Sequence, residues 1–532
     1  MQPRRCRLAG LALAVVACTP APGVAQVAAP DQLWSQDSPG VFDAGELGDS
    51  FARLATGDFD GDGNDDLAIG SPGEDLGALE DAGLVHVFHG AVAGGLTLSG
   101  QDLWHQDISG MPDAAEAGDL FGDALAAGDF DGDGYDDLAI AAGSEDLGAA
   151  PNAGVVHVLY GSATGLTTGG TQLWHQDSPN VMGAAESDDS FGAALAVGDF
   201  NADGFDDLAI GVPLEAIGDI AAAGAVNVLF GSASGLSDAG NQLWHQDIAG
   251  VADSAEMSDA FGWSLAAGRF DGDGFDDLAI GVRYEDIGAA ENAGAVNLLL
   301  GSASGLTDAN DQFWHQDSDT VQGVVEDHDF FGHALTAGDF DGDGLDDLAI
   351  AAVGEDVDGF ADAGAVHVLF GDSAGLTDVG NQLWDQNSAG VPDPVEGNEL
   401  FGLALAAGDF SGDGFADLAI GAPGESIGAF VGAGAVHLLF GSATGPGAAG
   451  NQYLHQDGED VSDAAEDGDS FGFFLAAGDF DGDGWAALAV GVPFEGLGTV
   501  WNAGVVQVFP DLLAFADGFE TSDTSRWSAA VP

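Results

Sequence analysis

The chain has 532 residues, 46% of them apolar, which supplies a large core and permits several domains by length alone. Ninety aspartates and glutamates face seven arginines and no lysine, a formal net charge of −83, which excludes direct binding of nucleic acid or of anionic lipid surfaces and demands cations, either bound among carboxylates or as screening salt. The 86 glycines carry no collagen-like period and point to tight turns between short strands, while the two cysteines, Cys6 and Cys18, leave the body of the chain without disulfides.

At the N-terminus, Arg4, Arg5 and Arg7 precede an apolar run from Leu8 to Cys18 and the small residues Gly23-Val24-Ala25. Residues 1–25 therefore read as an export signal, and the mature protein as secreted or displayed on the cell surface. Val15-Val16-Ala17-Cys18 resembles a bacterial lipobox, so lipid anchoring through Cys18 is the alternative. The apolar run is too short for a transmembrane helix, and no later segment approaches one.

From residue 31 the chain repeats itself. Gly-Asp-Phe occurs at Gly57, Gly128, Gly198, Gly338, Gly408 and Gly478, and Gly268-Arg269-Phe270 fills the remaining slot, with spacings of 71 and then 70 residues. Seven copies span 31–510 without linkers, and each holds four short strand candidates. In the second copy these are Leu103–Asp107, Phe121–Ala127, Asp137–Ala141 and Val155–Tyr160. Terminal copies that look like central ones argue for a closed ring rather than a capped solenoid, so the expected fold is all-β, a seven-bladed β-propeller with four antiparallel strands per blade. Residues 31–37 match segments that precede later Phe-Gly pairs, whereas the last copy has no such segment behind it. They are expected to close the ring as the outer strand of the C-terminal blade.

After each Gly-Asp-Phe lies a nine-residue acidic loop. The first reads Asp58-Phe59-Asp60-Gly61-Asp62-Gly63-Asn64-Asp65-Asp66. Carboxylates at positions one, three, five and nine, with the position-seven carbonyl, supply the hard oxygens that calcium takes in sets of six to eight. The candidate ligands are Asp58, Asp60, Asp62, Asn64 and Asp66; Asp129, Asp131, Asp133, Tyr135 and Asp137; and Asp199, Asn201, Asp203, Phe205 and Asp207. The fifth copy offers Asp339, Asp341, Asp343, Leu345 and Asp347, and the sixth Asp409, Ser411, Asp413, Phe415 and Asp417. In the fourth, Arg269 takes position one, where its guanidinium would replace a cation among Asp271, Asp273 and Asp277. The seventh keeps Asp479, Asp481 and Asp483 but has Ala487 at position nine. The expectation is about five calcium ions, with the fourth and seventh loops poor. An EF-hand is excluded, because Ile69 stands where its twelfth-position glutamate belongs.

Phe121-Gly122, the Asp-rich loop and Gly421-Ala422-Pro423 together resemble FG-GAP repeats, as found in the N-terminal propeller of integrin α subunits and in bacterial integrin-like secreted proteins. The resemblance implies the propeller fold and calcium at the loop positions named above. Phe51-Ala52 in the first copy departs from the pattern, as do Gly-Ser-Pro and Gly-Val-Pro in others.

Two glutamate slots recur in all seven copies, Glu46 to Glu466 and Glu74 to Glu495, and read as structural bonds to loop N–H groups or to a neighbouring blade. His105, His175, His245, His315 and His455, one per blade, cannot converge on one zinc, and the tryptophans beside them read as packing. Arg283-Tyr284 and His328 near His333 break the repeat and mark a candidate binding spot. Residues 511–532 read as a C-terminal tail, disordered or a sorting signal. With no nucleophile elbow, phosphate loop or metalloprotease helix, the chain is expected not to be an enzyme. It reads as a monomeric, non-catalytic recognition or adhesion module for a protein or glycan ligand. The alternatives are a propeller-based polysaccharide lyase or hydrolase and a matrix component.

Overall fold

The computed structural model describes residues 31–510 and Leu512, apart from 93, 319, 459 and 460. The expected export signal, the Cys18 alternative and nearly all of the tail lie outside the described residues. Every element among the described residues is a strand, and the strands form seven four-stranded antiparallel sheets. No helix there is long and apolar enough to cross a membrane.

Blade two shows the plan. Its strands are Phe121–Gly128, Asp137–Ala142, Val155–Tyr160 and Thr167–Trp174, paired in chain order. The first strands of all seven blades touch in cyclic order, blade seven on blade one, so they line the axis and the ring is closed. The second and third strands are buried throughout, and the fourth is half-exposed at the rim. Alternation explains the stacking. Leu138 and Ile140 turn toward Val85, Val87 and Trp104 of blade one, whereas Ala139 and Ala141 turn toward Leu208 and Ile210 of blade three. Large side chains on one face thus meet small ones on the next, which fills the space between blades at interior density.

A Phe-Gly pair fixes the entry to six of the seven blades. Phe121 is fully buried, and Gly122 at φ +93° brings its backbone against Leu84 O, which a Cβ would meet at 2.9 Å. The tryptophans behave as packing residues, Trp104 within the interface of blades one and two and Trp244 within that of blades three and four.

The ring closes as the phase of the repeat implies. Gln32–Trp34 pairs antiparallel with Val505–Phe509, with Gln32 opposite Val508 and Trp34 opposite Val506. Asp31 adds side-chain bonds, accepting from Gln507 Nε2 at 2.6 Å and from the Ser462 backbone N–H at 2.8 Å. One strand differs from its sequence expectation. The segment expected at Leu103–Asp107 is the end of a longer strand, Thr97–Trp104, which belongs to blade one, and Ile108 N–H donates to His105 O at 3.1 Å to turn the chain away. The first half of that strand, Thr-Leu-Ser-Gly, is half-exposed and lacks alternation, so periodicity does not reveal it.

Candidate functional site

Each Asp-rich loop joins the first and second strands of its blade, so all seven lie at one end of the ring. In blade two, Asp129 Oδ1 accepts the Asp133 N–H at 3.0 Å and Oδ2 accepts that of Gly134 at 3.0 Å. Asp131 also accepts from Asp133, and Asp133 accepts the Tyr135 N–H at 3.1 Å. The loop therefore curls around its own carboxylates. Glycine at position four makes the curl possible: Gly132 has φ +72°, and a Cβ there would lie 2.6 Å from the Phe205 ring of the next blade. Position seven thus uses its side chain to cover the preceding blade's loop. Asp137, 1% exposed, accepts from the N–H groups of Phe130 and Gly161, both at 2.9 Å.

Three side-chain oxygens lie within 4.8 Å of one another in Asp58–Asp60–Asp62, Asp129–Asp131–Asp137 and Asp339–Asp341–Asp347. The third and sixth loops keep the same curl, with Asp203 N–H donating to Asp199 and Asp413 N–H to Asp409, each at 3.0 Å. Their third positions contribute neutral oxygens, and Asn201 Oδ1 is buried with no hydrogen-bond donor, a lone pair suited to a cation. In these two loops, Asp207 and Asp417 take the buried ninth position and accept from Gly231 and Gly441. The seventh loop, without a carboxylate at position nine, still gathers Asp479, Asp481 and Asp483 within the same 4.8 Å. In the fourth, Arg269 pairs not with Asp271, Asp273 or Asp277 as expected but with Asp276, its Nε donating to Asp276 Oδ1 at 2.8 Å while the other Asp276 oxygen accepts the Asp199 N–H.

That position-eight carboxylate escaped the sequence reading. Asp136 accepts the Asp58 N–H at 2.9 Å, Asp206 that of Asp129 at 2.9 Å, and Asp65 that of Asp479 at 2.7 Å across the closure. Five loops are thereby bonded to their neighbours, whereas Ala416 and Ala486 take this position in blades six and seven and make only backbone bonds to Asp339 and Asp409. The only visible trace in the sequence is the doubled Asp-Asp before the second strand. His89 was also missed. It stands where other blades place Tyr160 or Phe230, its Nδ1 2.9 Å from Asp66 and 3.7 Å from Asp60. The bond to Asp66 raises its pKa.

Burial pushes the position-nine carboxyls far above the usual carboxylate range, to about 8 for Asp137 and Asp207 and about 7 for Asp347 and Asp417. A desolvated carboxylate is stable as an anion only with a positive partner. Among the described residues no basic side chain but His89 pairs with a position-nine carboxyl, so an all-oxygen set of this kind fits a hard divalent ion such as calcium.

The FG-GAP repeat family profile matches the chain seven times, at residues 51–88, 121–159, 191–229, 261–299, 331–369, 401–439 and 471–508. The chain belongs to the FG-GAP repeat family. Among curated relatives, integrin alpha-PS2 of Drosophila melanogaster is 32% identical over 45% of this chain and 16% of its own length. Phosphatidylinositol-glycan-specific phospholipase D of Homo sapiens is 31% identical over 40% of this chain and 24% of its own length. The chain thus spans about a quarter or less of these relatives. Among solved structures, a Bacillus licheniformis rhamnogalacturonan lyase aligns over 91% of this chain and 76% of its own, at 12% identity and a TM-score of 0.41, too low to carry an argument.

The comparisons correct one expectation. FG-GAP repeats like these occur in a relative named as a phospholipase D, so the absence of familiar catalytic motifs does not exclude the chain from the enzymes. A propeller can carry unique residues on one face without any local signature, so missing motifs are weak evidence.

At the opposite end of the FG-GAP propeller the repeat is broken where Arg53 lies 4.1 Å over the Phe474 ring, and again in blades four and five. Trp263 is the third residue of the first strand of blade four, Phe261–Gly268, and Arg283 and Tyr284 follow the end of its second. The Arg283 guanidinium lies 4.5 Å from the Trp263 ring, 4.9 Å from Tyr284 and 4.7 Å from Phe330. His333 stacks tilted on Trp263, and His328 meets Phe330 edge-on. The residues singled out from the sequence, Arg283-Tyr284 and His328–His333, therefore form one half-buried cluster. Arg53 pairs with Asp123 and Arg269 with Asp276, but among the described residues no carboxylate lies within 4.0 Å of Arg283.

Proposed function

We propose that the chain is a calcium-stapled FG-GAP propeller that works outside the cell as a recognition module. Calcium at one end rigidifies the ring, and loops at the other contact a protein or glycan ligand. The observation that supports this best is the convergence of Asp-rich loop carboxylates around an all-oxygen centre whose ninth position is buried. Extracellular calcium sites of low charge selectivity bind at about 10⁻⁴ to 10⁻³ M, which suits a calcium-rich exterior. In the first, second, third, fifth and sixth loops the proposed ligands are those named from the sequence.

Two features support ligand contact at the far end. The Arg283 cluster departs from the sevenfold pattern, and a recognition site made once should break the repeat. Its composition, arginine stacked among tryptophan, tyrosine and phenylalanine, is also that of binding hot spots. The test is binding of the mature chain to arrays of glycans and extracellular-matrix proteins in calcium. The reading expects binding that chelation abolishes and that Arg283→Ala weakens at least tenfold. Binding unchanged by both treatments would overturn it.

A further inference from the structure

A second set of carboxylates converges at the end opposite the Asp-rich loops. The outer strand of blade six ends at Leu454, and the chain then crosses to blade seven through Gln456, Glu466 and Asp469. Glu495 stands beyond Val492, the last residue of that blade's second strand, whereas the Asp-rich loop precedes the first residue of the same strand. Six residues at about 3.3 Å each put the two places roughly 20 Å apart.

Oxygens of Glu466, Asp469 and Glu495 lie within 4.8 Å of one another. Asp469 and Glu495 are 3% and 4% exposed. Asp469 accepts the Glu466 N–H at 2.5 Å, and Glu495 accepts from Gln456 Nε2 at 2.7 Å. That second bond fixes the amide, since turning it would set its oxygen against a carboxylate. Gln456, 1% exposed, is left with a buried Oε1 that no donor reaches. The same amide-to-glutamate bond recurs at every junction, from Gln36–Glu74 at 2.6 Å onward, each time with the glutamine oxygen buried and undonated. Asp49 Oδ1 at the first junction is likewise buried without a donor. Arg53 and Arg269 are paired elsewhere, and Arg283 lies among rings, so no described arginine neutralises these charges.

We propose that Glu466, Asp469, Glu495 and the carbonyl oxygen of Gln456 hold a calcium ion at the junction of blades six and seven, separate from the Asp-rich loops. Buried carboxylates and an orphaned carbonyl oxygen make up the mixed hard-oxygen set that this ion takes. The ion ties the crossover to the blade it enters and to the strand it leaves, so it acts as an inter-blade staple.

The test is calcium titration of the full mature chain after metal removal, by calorimetry with elemental analysis of the saturated protein. Asp469→Asn with Glu495→Gln is expected to bind one ion fewer than the parent. Asp341→Asn is a control confined to the Asp-rich loop of blade five, and combining it with the double change is expected to give an additive loss. Glu466 is exposed, so Glu466→Gln leaves the core intact and is expected to weaken one site about tenfold. If the double variant does not fold, the Glu466→Gln titration decides alone. Titrations that match the parent in stoichiometry and affinity would overturn the site and leave these groups as carboxyls sharing protons.

Discussion

At position four of the third Asp-rich loop, Ala202 adopts φ +52°, where the other six loops place glycine at φ between +67° and +75°. An L-residue in the left-handed region costs about 1–2 kcal/mol, partly offset by the chain entropy that glycine loses on folding. Ala202→Gly is therefore expected to stabilise the protein by about 1 kcal/mol, measured as a higher denaturant midpoint. The candidate loop carboxylates are the most legible residues in this sequence, because a nine-residue segment contains them all. Asp136 and Gln36 are not legible, since the groups they bond lie 78 and 38 residues away and only the fold brings them together.

The third strand adds a second prediction at this scale. His157, His367 and His437 are wholly buried, and desolvation pushes each pKa down from 6.5 to about 3. The unfolded chain takes up these protons below about pH 6.5 and the folded chain does not, so each histidine removes stability as pH falls through that value. At pH 5 the loss is about 2 kcal/mol per residue. Blades three and four carry Asn227 and Asn297 at this register, each donating to a crossover carbonyl. His157→Asn is expected to shrink the drop in melting temperature between pH 7 and pH 5. A drop as large as the parent's would contradict the assignment.

Among the elements, the second and third strands of each blade were readable as short apolar runs bounded by glycine, and the closing strand was readable from the phase of the repeat. The rim strand was read short because Thr97 to Gly100 is polar and half-exposed, so neither composition nor alternation marks it. The clasp carries its own consequence. Removing residues 31–37 deletes the three-residue pairing with Val505–Phe509 and the Asp31 bonds to Gln507 and Ser462. An unpaired Val-Val-Gln-Val-Phe edge then faces solvent, a template for intermolecular pairing. The truncated chain is expected to melt at lower temperature and to show concentration-dependent association by light scattering, and a monodisperse product of unchanged melting temperature would count against the clasp.

Across the whole molecule, a closed ring of seven sheets has to hold together under a formal charge of −83. Self-repulsion of that size opposes the compact state, and cations at carboxylate clusters relieve it where it is densest. The seven-bladed ring was legible because a repeat of fixed length with ordinary terminal copies leaves few other closures. Ligand identity was not legible, because the Arg283 cluster is assembled from blades four and five and from no single segment. Each calcium site with a dissociation constant of about 10⁻⁴ to 10⁻³ M adds about 1.4–2.7 kcal/mol at 10 mM calcium. The most direct measurement is the melting temperature of the mature chain in 10 mM calcium and in chelator, with bound ions counted by elemental analysis. A large drop on chelation, with at least five ions held in calcium, is the predicted result. An unchanged melting temperature with no retained ion would contradict the metal-stapled propeller and leave the Asp-rich loops as turns on an acidic surface.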